Sequence, residues 1–371
     1  MGQRPACGIL MFMKRRKKMS RKLSINKASR ILYPIYIEHS FENLSSCLNE
    51  LELQDRKICI VTDSNVEKLY GEEVQKAASA SAGKVVLYTM TAGEEHKTLD
   101  TVKDLYAFLI EEHFDRKDLL VALGGGVVGD LCGYAAATYL RGIDFVQIPT
   151  TLLSQTDSSI GGKTGVDFDS YKNMVGAFHM PRLVYMNMSV LKSLDDRQFA
   201  SGMAEVLKHG LIRDGVFYEW LIDHFPEINE KDTEVLEEMI YRSCQIKKSV
   251  VEKDPTEKGE RALLNFGHTI GHAIEKYMDF KYLHGECVAL GCIGAAYISY
   301  KRNMIPMEEY YEIRDMFVPF SLPISISEGN PEEILNLTKS DKKMDGSHVK
   351  FILLKKVGKA VIDTTVTDEE I

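Results

Sequence analysis

The first half of the chain alternates short apolar segments with segments of helical periodicity. The apolar segments are rich in Val, Ile and Leu, which is typical of parallel strands that are buried on both faces. Helical patterns lie between them, notably over Thr98–His113 and Val127–Leu140. This alternation predicts a parallel β-sheet covered by helices. The five predicted strands are Lys57–Asp63, Lys84–Met90, Leu119–Gly125, Asp144–Thr150 and Arg182–Asn187.

Helical periodicity dominates the second half, from about residue 190 onwards. Near its end, Val349–Lys355 and Ala360–Thr364 flank a short turn and predict a hairpin. The fold class is therefore an α/β, Rossmann-like domain over residues 28–190 and a mostly α-helical domain over residues 191–371, with ligands expected in the cleft between them. The predicted helices are Asp196–Ile212, Gly215–Phe225, Asp232–Asp254, Arg261–Met278, Glu286–Asn303, Met307–Phe317 and Pro331–Lys339.

The N-terminal segment carries an apolar stretch, Gly8–Met13, followed by a basic run over Lys14–Lys18. A secretory signal peptide has the opposite order, with its charge before the apolar stretch. A membrane-spanning helix needs about 18 consecutive apolar residues, and the sequence contains no such run. We expect residues 1–27 to form a disordered tail, or translation to begin at Met13 or Met19.

Composition and charge narrow the class of protein. Hydrophobic residues make up 44% of the chain and charged residues 27%, which is typical of a soluble globular protein. The net charge of −8 argues against nucleic acid as a main partner. Seven cysteines without a C-x-x-C pair fit reduced thiols better than a disulfide framework. We therefore expect a cytoplasmic protein that binds neither nucleic acid nor a membrane.

A glycine-rich turn joins a predicted strand to a predicted helix. Gly124, Gly126 and Gly129 satisfy G-x-G-x-x-G, where glycine permits close approach of a pyrophosphate and the helix N-terminus offers free N–H groups. The alternative is a tight turn without a ligand, which this context favours less. No acid follows about twenty positions later at a strand end, as an ordinary Rossmann motif requires. Asp63, which ends an earlier strand, is a candidate for the ribose or, about equally, a helix N-cap.

A polar stripe marks the predicted helix Arg261–Met278. Arg261, Asn265, His268, His272 and Glu275 recur at intervals of 4, 3, 4 and 3, which would place them on one helix face. A polar stripe on an otherwise apolar helix indicates solvent or a site. Solvent rarely selects two histidines, an asparagine and an arginine together, so we favour a site.

Further residues could complete a metal site with these histidines. His284 follows the stripe, and Glu205 is the best carboxylate candidate because Lys208 shares its helix face. One Glu and two His make a catalytic zinc set that leaves coordination positions open. The alternative for Glu205 and Lys208 is a surface ion pair. Spacing alone does not decide which two of His268, His272 and His284 bind the metal.

Small polar residues crowd the segment Pro149–Gly165, which is typical of a binding loop on a rigid sheet. Lys163 stands in this segment and could reach a phosphate. Each basic residue alone is more commonly a solvated surface charge, but together they suggest a substrate with both carboxylate and phosphate. The other candidates are Arg141, Lys172 beside Asn173, Lys247, and Asp341-Lys342-Lys343.

These segments together resemble the 3-dehydroquinate synthase family from about residue 57 to residue 354. The resemblance implies a two-domain enzyme with NAD and usually zinc, for which cobalt or another divalent metal can substitute, commonly as a homodimer. Two positions depart from the family pattern: His209, where an aromatic residue is more frequent, and Asn187, where an acid is frequent. The matching motifs are Gly93–Thr98, Gly124–Asp130, Pro149–Asp167, Ala204–Gly210, Arg261–Glu275, His284–Glu286 and Asp341–Lys343.

The resemblance also implies roles for single residues. It makes Glu205, His268 and His284 the metal ligands, and Arg141 a phosphate contact supplied by the neighbouring subunit. The expected catalytic residues are Asp157, Lys163, Lys208, Lys247, Arg261, Asn265 and His272, with Asn173 and Lys343 as further substrate contacts. The expected NAD-binding set, which includes Asp63, is completed by Gly93, Glu94, Lys97, Gly125, Gly126, Asp130, Thr150, Thr151, Lys163 and Lys172.

The reaction that the resemblance implies is conversion of 3-deoxy-D-arabino-heptulosonate 7-phosphate to 3-dehydroquinate and phosphate, in the shikimate pathway of aromatic amino-acid biosynthesis. Transient oxidation with NAD, elimination of phosphate, re-reduction and ring closure would follow one another. One alternative is a related cyclase, of the 2-deoxy-scyllo-inosose or valiolone synthase type, acting on a neutral sugar phosphate. Others are a metal-dependent glycerol or alcohol dehydrogenase and an NAD-binding regulator without activity.

Overall fold

The computed structural model describes residues 21–169, 171–326, 328–340 and 350–371. Seven of the strands in these ranges form one sheet, and the other four form two hairpins. The strands are β1 Arg21–Lys27, β2 Arg30–Glu38, β3 Lys57–Asp63, β4 Lys84–Met90, β5 Leu119–Gly124, β6 Asp144–Pro149, β7 Lys163–Phe168, β8 Tyr171–Phe178, β9 Val184–Asn187, β10 Phe351–Lys356 and β11 Lys359–Asp363.

Most of the described chain after β9 is helical. The helices are α1 Leu44–Asn49, α2 Glu72–Ser79, α3 Leu99–Glu111, α4 Gly126–Thr138, α5 Asp196–Arg213, α6 Gly215–Asp223, α7 Phe225–Asn229, α8 Thr233–Lys253, α9 His268–Tyr277, α10 His284–Lys301, α11 Met307–Asp315 and α12 Pro331–Ser340. No helix in the described ranges is long and apolar enough to cross a membrane.

The main sheet has the order β1-β2-β9-β6-β5-β3-β4 and is parallel except for the antiparallel pair β1 and β2. Because side chains alternate between the faces of a strand, β3 contributes to two cores. Ile58 and Ile60 pack with α1 and α2, whereas Cys59 and Val61 pack with α3 and α4. The sheet is thus covered on both faces, as its apolar strands predicted.

The strand order places a crevice at one edge of the sheet. The chain runs from β3 outwards to β4 and then returns to β5 on the other side of β3. In doubly wound sheets, ligands bind beyond the carboxyl ends of the strands at such a reversal. Asp63 ends β3 and Gly124 ends β5, so the residues selected for a nucleotide meet at this crevice.

The N-terminal strand corrects one expectation. Residues Arg21–Lys27 form β1 and are not a disordered tail. Leu23 and Ile25 point into the core that β1 and β2 share with the helical region, and Ile25 has no exposed surface. The alternation of apolar and polar residues fits a strand with one buried face. Residues 1–20 lie outside the described residues.

The predicted elements are confirmed, with one exception. All five predicted strands and the C-terminal hairpin are present, with bounds that differ by a few residues. The predicted helix Arg261–Met278 is wrong, because Glu260–Asn265 is a 3-10 segment and Gly267 adopts a left-handed φ of 80° before α9 begins. A Cβ on Gly267 would lie 2.6 Å from the backbone N of Cys292, so close packing on α10 requires glycine there.

Candidate active site

A cavity of about 1240 Å³ lies beyond the carboxyl ends of β3 and β5 and extends to the helical region. It brings together residues that the sequence predicted separately for nucleotide, substrate and metal. The predicted residues that line it are Asp63, Gly93, Glu94, Lys97, Gly125, Gly126, Asp130, Thr150, Thr151, Asp157, Lys163, Lys172, Asn173, Lys208, Lys247, Arg261, Asn265, His268, His272 and His284.

Two of the predicted residues that the structure describes, Glu205 and Arg141, do not line this cavity. Glu205 is buried behind the histidines. Arg141 is exposed and has a left-handed φ of 72°. Lys343 lies outside the described residues. Within one chain, the structure therefore does not bring Arg141 to the site.

Glu205, His268 and His284 converge from three helices. The Glu205 Oε1 atom is 3.6 Å from Nε2 of His268 and 3.4 Å from Nε2 of His284. The Nδ1 atom of His268 lies 3.2 Å from the carbonyl oxygen of Phe266, which can only accept, so Nδ1–H donates and Nε2 keeps its lone pair. The three ligand atoms lie within 4.8 Å of one another.

The burial of Glu205 tests whether these residues fit a metal ion. Its side chain is 1% exposed, and no described residue donates a well-formed hydrogen bond to either carboxylate oxygen. The Lys208 ammonium is in ion-pair contact with Oε2. Burial opposes ionisation, but Lys208 together with His284 and His268 outweighs it, so the pKa of Glu205 is lowered. A buried, ionised carboxylate with unused lone pairs beside two imidazole nitrogens fits a divalent cation.

A second set of possible metal ligands shares His284 with the first set. Ligand atoms of His272, Glu275 and His284 also lie within 4.8 Å of one another. In that group Glu275 Oε1 already accepts a hydrogen bond of 2.8 Å from Lys172. Oε1 of Glu205 accepts no hydrogen bond from a described residue and faces both histidines, which favours the set with His268 and His284.

Asp157 and Lys247 form a partly buried ion pair at the cavity wall. The Lys247 Nζ atom donates to Asp157 Oδ1 over 2.6 Å and to its backbone oxygen over 2.5 Å. Burial would raise the pKa of Asp157, but Lys247 holds it well below its ordinary value. The pKa of Lys247 is itself lowered, because burial and the neighbouring Arg261 outweigh the attraction of Asp157. An acid and a base with shifted pKa values thus stand side by side.

Lys97 links the nucleotide side of the cavity to the substrate side. Its side chain is 4% exposed, and Nζ donates to Asp130 Oδ2 over 2.8 Å and to Asn173 Oδ1 over 2.7 Å. Burial opposes the charge, but Asp130 and Glu94 raise the pKa of Lys97. The lysine is therefore a cationic bridge between two predicted sets of residues.

Asp63 has the bonding that the N-cap interpretation predicted. Its Oδ1 atom accepts the N–H groups of Asn65 and Val66 over 2.8 and 3.0 Å, where the chain turns after β3. The side chain also lines the cavity.

The glycine turn is constrained by packing, since a Cβ on Gly124 would lie 2.6 Å from Cβ of Val128.

The sequence reasoning missed Glu257. Its carboxylate is in ion-pair contact with Lys163 and accepts a hydrogen bond of 2.8 Å from Asn265. The residue lies in the loop after α8 with a left-handed φ of 57°. The one available signal was an acid four residues before Arg261 in a segment rich in site residues.

Comparisons with known proteins agree across the chain. Models of the 3-dehydroquinate synthase N-terminal and C-terminal regions match residues 87–201 and 202–344. A 3-dehydroquinate synthase of Acetivibrio thermocellus is 46% identical over 350 residues, which cover 94% of this chain and 97% of that protein.

Two solved structures are similar over the same extent. A 2-deoxy-scyllo-inosose synthase complexed with carbaglucose-6-phosphate, NAD⁺ and Co²⁺ is 28% identical, with a TM-score of 0.83 and coverage of 94% of this chain and 95% of that one. A 2-epi-5-epi-valiolone synthase from Streptomyces hygroscopicus with NAD⁺ and Zn²⁺ is 25% identical, with a TM-score of 0.85 and coverage of 94% and 97%. The chain, by its sequence relatives and its two matching regions, belongs to the 3-dehydroquinate synthase family.

Proposed function

We propose that this chain acts as a 3-dehydroquinate synthase, a carbon–oxygen lyase that releases phosphate from 3-deoxy-D-arabino-heptulosonate 7-phosphate and forms 3-dehydroquinate. The observation that carries the proposal is the shared cavity, where a nucleotide crevice, a Glu-His-His set and a group of cations meet. A sugar-acid phosphate carries a negative charge at each end, so its binding site needs cations at both ends. Oxidation of one of its alcohol carbons needs a nucleotide cofactor in the crevice and a metal ion at the Glu-His-His set.

The proposed cofactors are NAD and zinc, or cobalt or another divalent ion in its place. NAD lies at the crevice beside Asp63, Gly125 and Gly126, and the metal is held by Glu205, His268 and His284. When bound, the metal polarises hydroxyl oxygens of the substrate, and the nicotinamide accepts and returns a hydride. Lys208 balances the charge of Glu205 in the buried interior. The other proposed NAD contacts are Gly93, Glu94, Lys97, Asp130, Thr150, Thr151, Lys163 and Lys172.

The chain's own side chains position the substrate and move its protons. Arg261 and Asn265 neutralise and orient the carboxylate, and Lys163 attracts the phosphate. The Asp157–Lys247 pair and His272 are the proton-transfer groups, since they combine cavity access with imidazole or shifted pKa values. Asn173 is a further substrate contact, and it is oriented by Lys97. Holding the open-chain intermediate in one shape then favours ring closure.

We further propose a cytoplasmic homodimer in which Arg141 contacts phosphate in the neighbouring subunit's site. The exposed position of Arg141, away from its own cavity, supports this. Six buried cysteines without disulfides support a reducing compartment. In this proposal, the sheet region up to about residue 190 binds NAD and the helical region supplies the metal ligands.

The test compares an acidic and a neutral substrate. Phosphate release is measured with 3-deoxy-D-arabino-heptulosonate 7-phosphate and with glucose 6-phosphate, each with NAD⁺ and Zn²⁺ or Co²⁺. We expect release from the acid alone, because Arg261 and Asn265 are left without a carboxylate partner by the neutral sugar. Release from glucose 6-phosphate alone would replace the proposal by the inosose synthase type.

A further inference from the structure

His209 is a fully buried histidine directly behind the proposed active site. It lies on α5 immediately after Lys208 and has no exposed surface. Its Nδ1 atom is 2.7 Å from the Ser243 hydroxyl on α8, and its Nε2 atom is 3.7 Å from Asp157 Oδ1. No described residue makes a hydrogen bond to Nε2. A buried polar atom without a partner is rare, so the direction of Nε2 towards Asp157 requires an explanation.

The neighbours of His209 determine where its proton lies. Burial lowers the pKa of His209, so the ring is neutral and carries one N–H. Nε2 faces an ionised carboxylate, and a lone pair there would be repelled by it. The proton therefore belongs on Nε2, and the Ser243 hydroxyl donates to Nδ1.

We propose that His209 is a positioning residue, whose Nε2–H donates to Asp157 in the substrate complex and fixes the carboxylate that Lys247 shares. The inference rests on the proposed function of Asp157. The gap of 3.7 Å exceeds a hydrogen bond, but catalytic hydrogen bonds are often long before substrate binds. A small rotation of the Asp157 side chain closes it, with the Lys247 ammonium following on its flexible stem.

A metal ion at this position is the competing explanation. Ligand atoms of Asp157, Glu205 and His209 lie within 4.8 Å of one another. However, the ammonium groups of Lys247 and Lys208 already contact the two carboxylates. Two cations at the carboxylates disfavour a third, so hydrogen bonding explains His209 better.

Three variants separate the two ring nitrogens. His209→Gln keeps an N–H donor near the Nε2 position, His209→Asn keeps a polar group facing Ser243 only, and His209→Phe keeps neither. We expect kcat to fall roughly 10- to 100-fold in the Asn and Phe variants, the range typical of groups that orient a site from behind. KM should change little, and His209→Gln should recover most of kcat. Wild-type kcat in the Asn and Phe variants would overturn the proposal, as would a loss in all three that follows melting temperature.

A second measurement does not depend on turnover. Nitrogen-15 chemical shifts of labelled imidazoles distinguish the two neutral tautomers, and the His209→Gln variant assigns the His209 signals. We expect a neutral ring with its proton on Nε2. A proton on Nδ1 would overturn the positioning role even if the enzyme is a 3-dehydroquinate synthase. The expected tautomer in a protein without synthase activity would instead count against the proposed function.

Discussion

The Lys97 ammonium donates a hydrogen bond of 2.7 Å to the amide oxygen of Asn173. The same ammonium contacts Asp130, which ends the first turn of the glycine-loop helix. A residue proposed to contact NAD thus orients Asn173 on β8, which is proposed to contact the substrate. This bond couples the two halves of the cavity through one buried cation.

Replacing Lys97 tests the energy of this bridge. Lys97→Met should lower the free energy of unfolding by roughly 1–3 kcal/mol, because it leaves the partly buried carboxylate of Asp130 without its partner. Lys103→Met on the exposed face of α3 is the matched control and should change stability little. Urea unfolding of both variants measures the difference. Equal stability of the two variants would contradict the bridge.

The contact between Lys97 and Asp130 predicts that the stability of the folded protein depends on pH. The pKa of Lys97 in the folded protein is raised above its ordinary value of 10.5. The contribution of Lys97 to the free energy of unfolding is therefore fully present below about pH 10.5 and is lost as the pH rises through the folded-state pKa. The stability difference between wild type and Lys97→Met should be constant from pH 8 to pH 10 and then shrink. A difference that grows above pH 10.5 would have the wrong sign.

Metal analysis of single variants tests the proposed metal ligands. His268→Ala and His284→Ala should each purify without metal, because each removes one of three ligands. His272→Ala should keep most of its metal and lose turnover. Elemental analysis of the three purified variants decides the assignment. Metal loss from His272→Ala and His284→Ala, with metal retained in His268→Ala, would instead favour the group with Glu275.

Glu257 should compete with the anionic substrate for Lys163 and Asn265. In Glu257→Gln the ion pair with Lys163 is lost, and KM for the phosphate substrate should fall by up to about fivefold, as expected for a partly exposed pair. Glu260→Gln is the control, because Glu260 pairs with Arg213 and Lys253 instead. Steady-state kinetics measure both. A raised KM in Glu257→Gln would show that the carboxylate orients Lys163 for substrate.

Two truncations test the N-terminal strand. A chain beginning at Met19 should keep its stability and activity, since it retains β1. A chain beginning at Arg30 loses Leu23 and Ile25, whose burial contributes about 1.5–3 kcal/mol each. Denaturant unfolding should show a small change in the free energy of unfolding for the chain beginning at Met19. It should show a loss of several kcal/mol for the chain beginning at Arg30. A large loss in the chain beginning at Met19 would assign a structural role to the preceding residues.

The sheet could be predicted from the sequence because β3, β5 and β6 are buried on both faces and form continuous apolar runs. Strand β1 was missed, since Leu23 and Ile25 are two apolar residues among basic and polar ones. Its burial depends on α8, where Glu237 and Glu238 pair with Arg21. An alternation with only two apolar residues is too short to identify a strand without knowledge of this long-range contact.

The site was predictable where chemistry repeats along the chain, as in His268 and His272. The site was less predictable where contacts between segments distant in sequence determine the geometry. The break at Gly267 is imposed by the approach of α10, and helix spacing cannot report it. Glu257 reaches Lys163 because Asp254 accepts the N–H groups of Lys258 and Gly259 and shapes the loop. Neither contact has a sequence motif.

In the proposed reaction, NAD⁺ oxidises the substrate and the resulting NADH reduces it again within one catalytic cycle. Phosphate release and absorbance of NADH are followed together with 3-deoxy-D-arabino-heptulosonate 7-phosphate, NAD⁺ and metal. We predict phosphate in many-fold excess over NADH, and full retention of deuterium placed at the oxidised carbon. Accumulation of NADH one-for-one with substrate consumed would contradict it and identify a dehydrogenase.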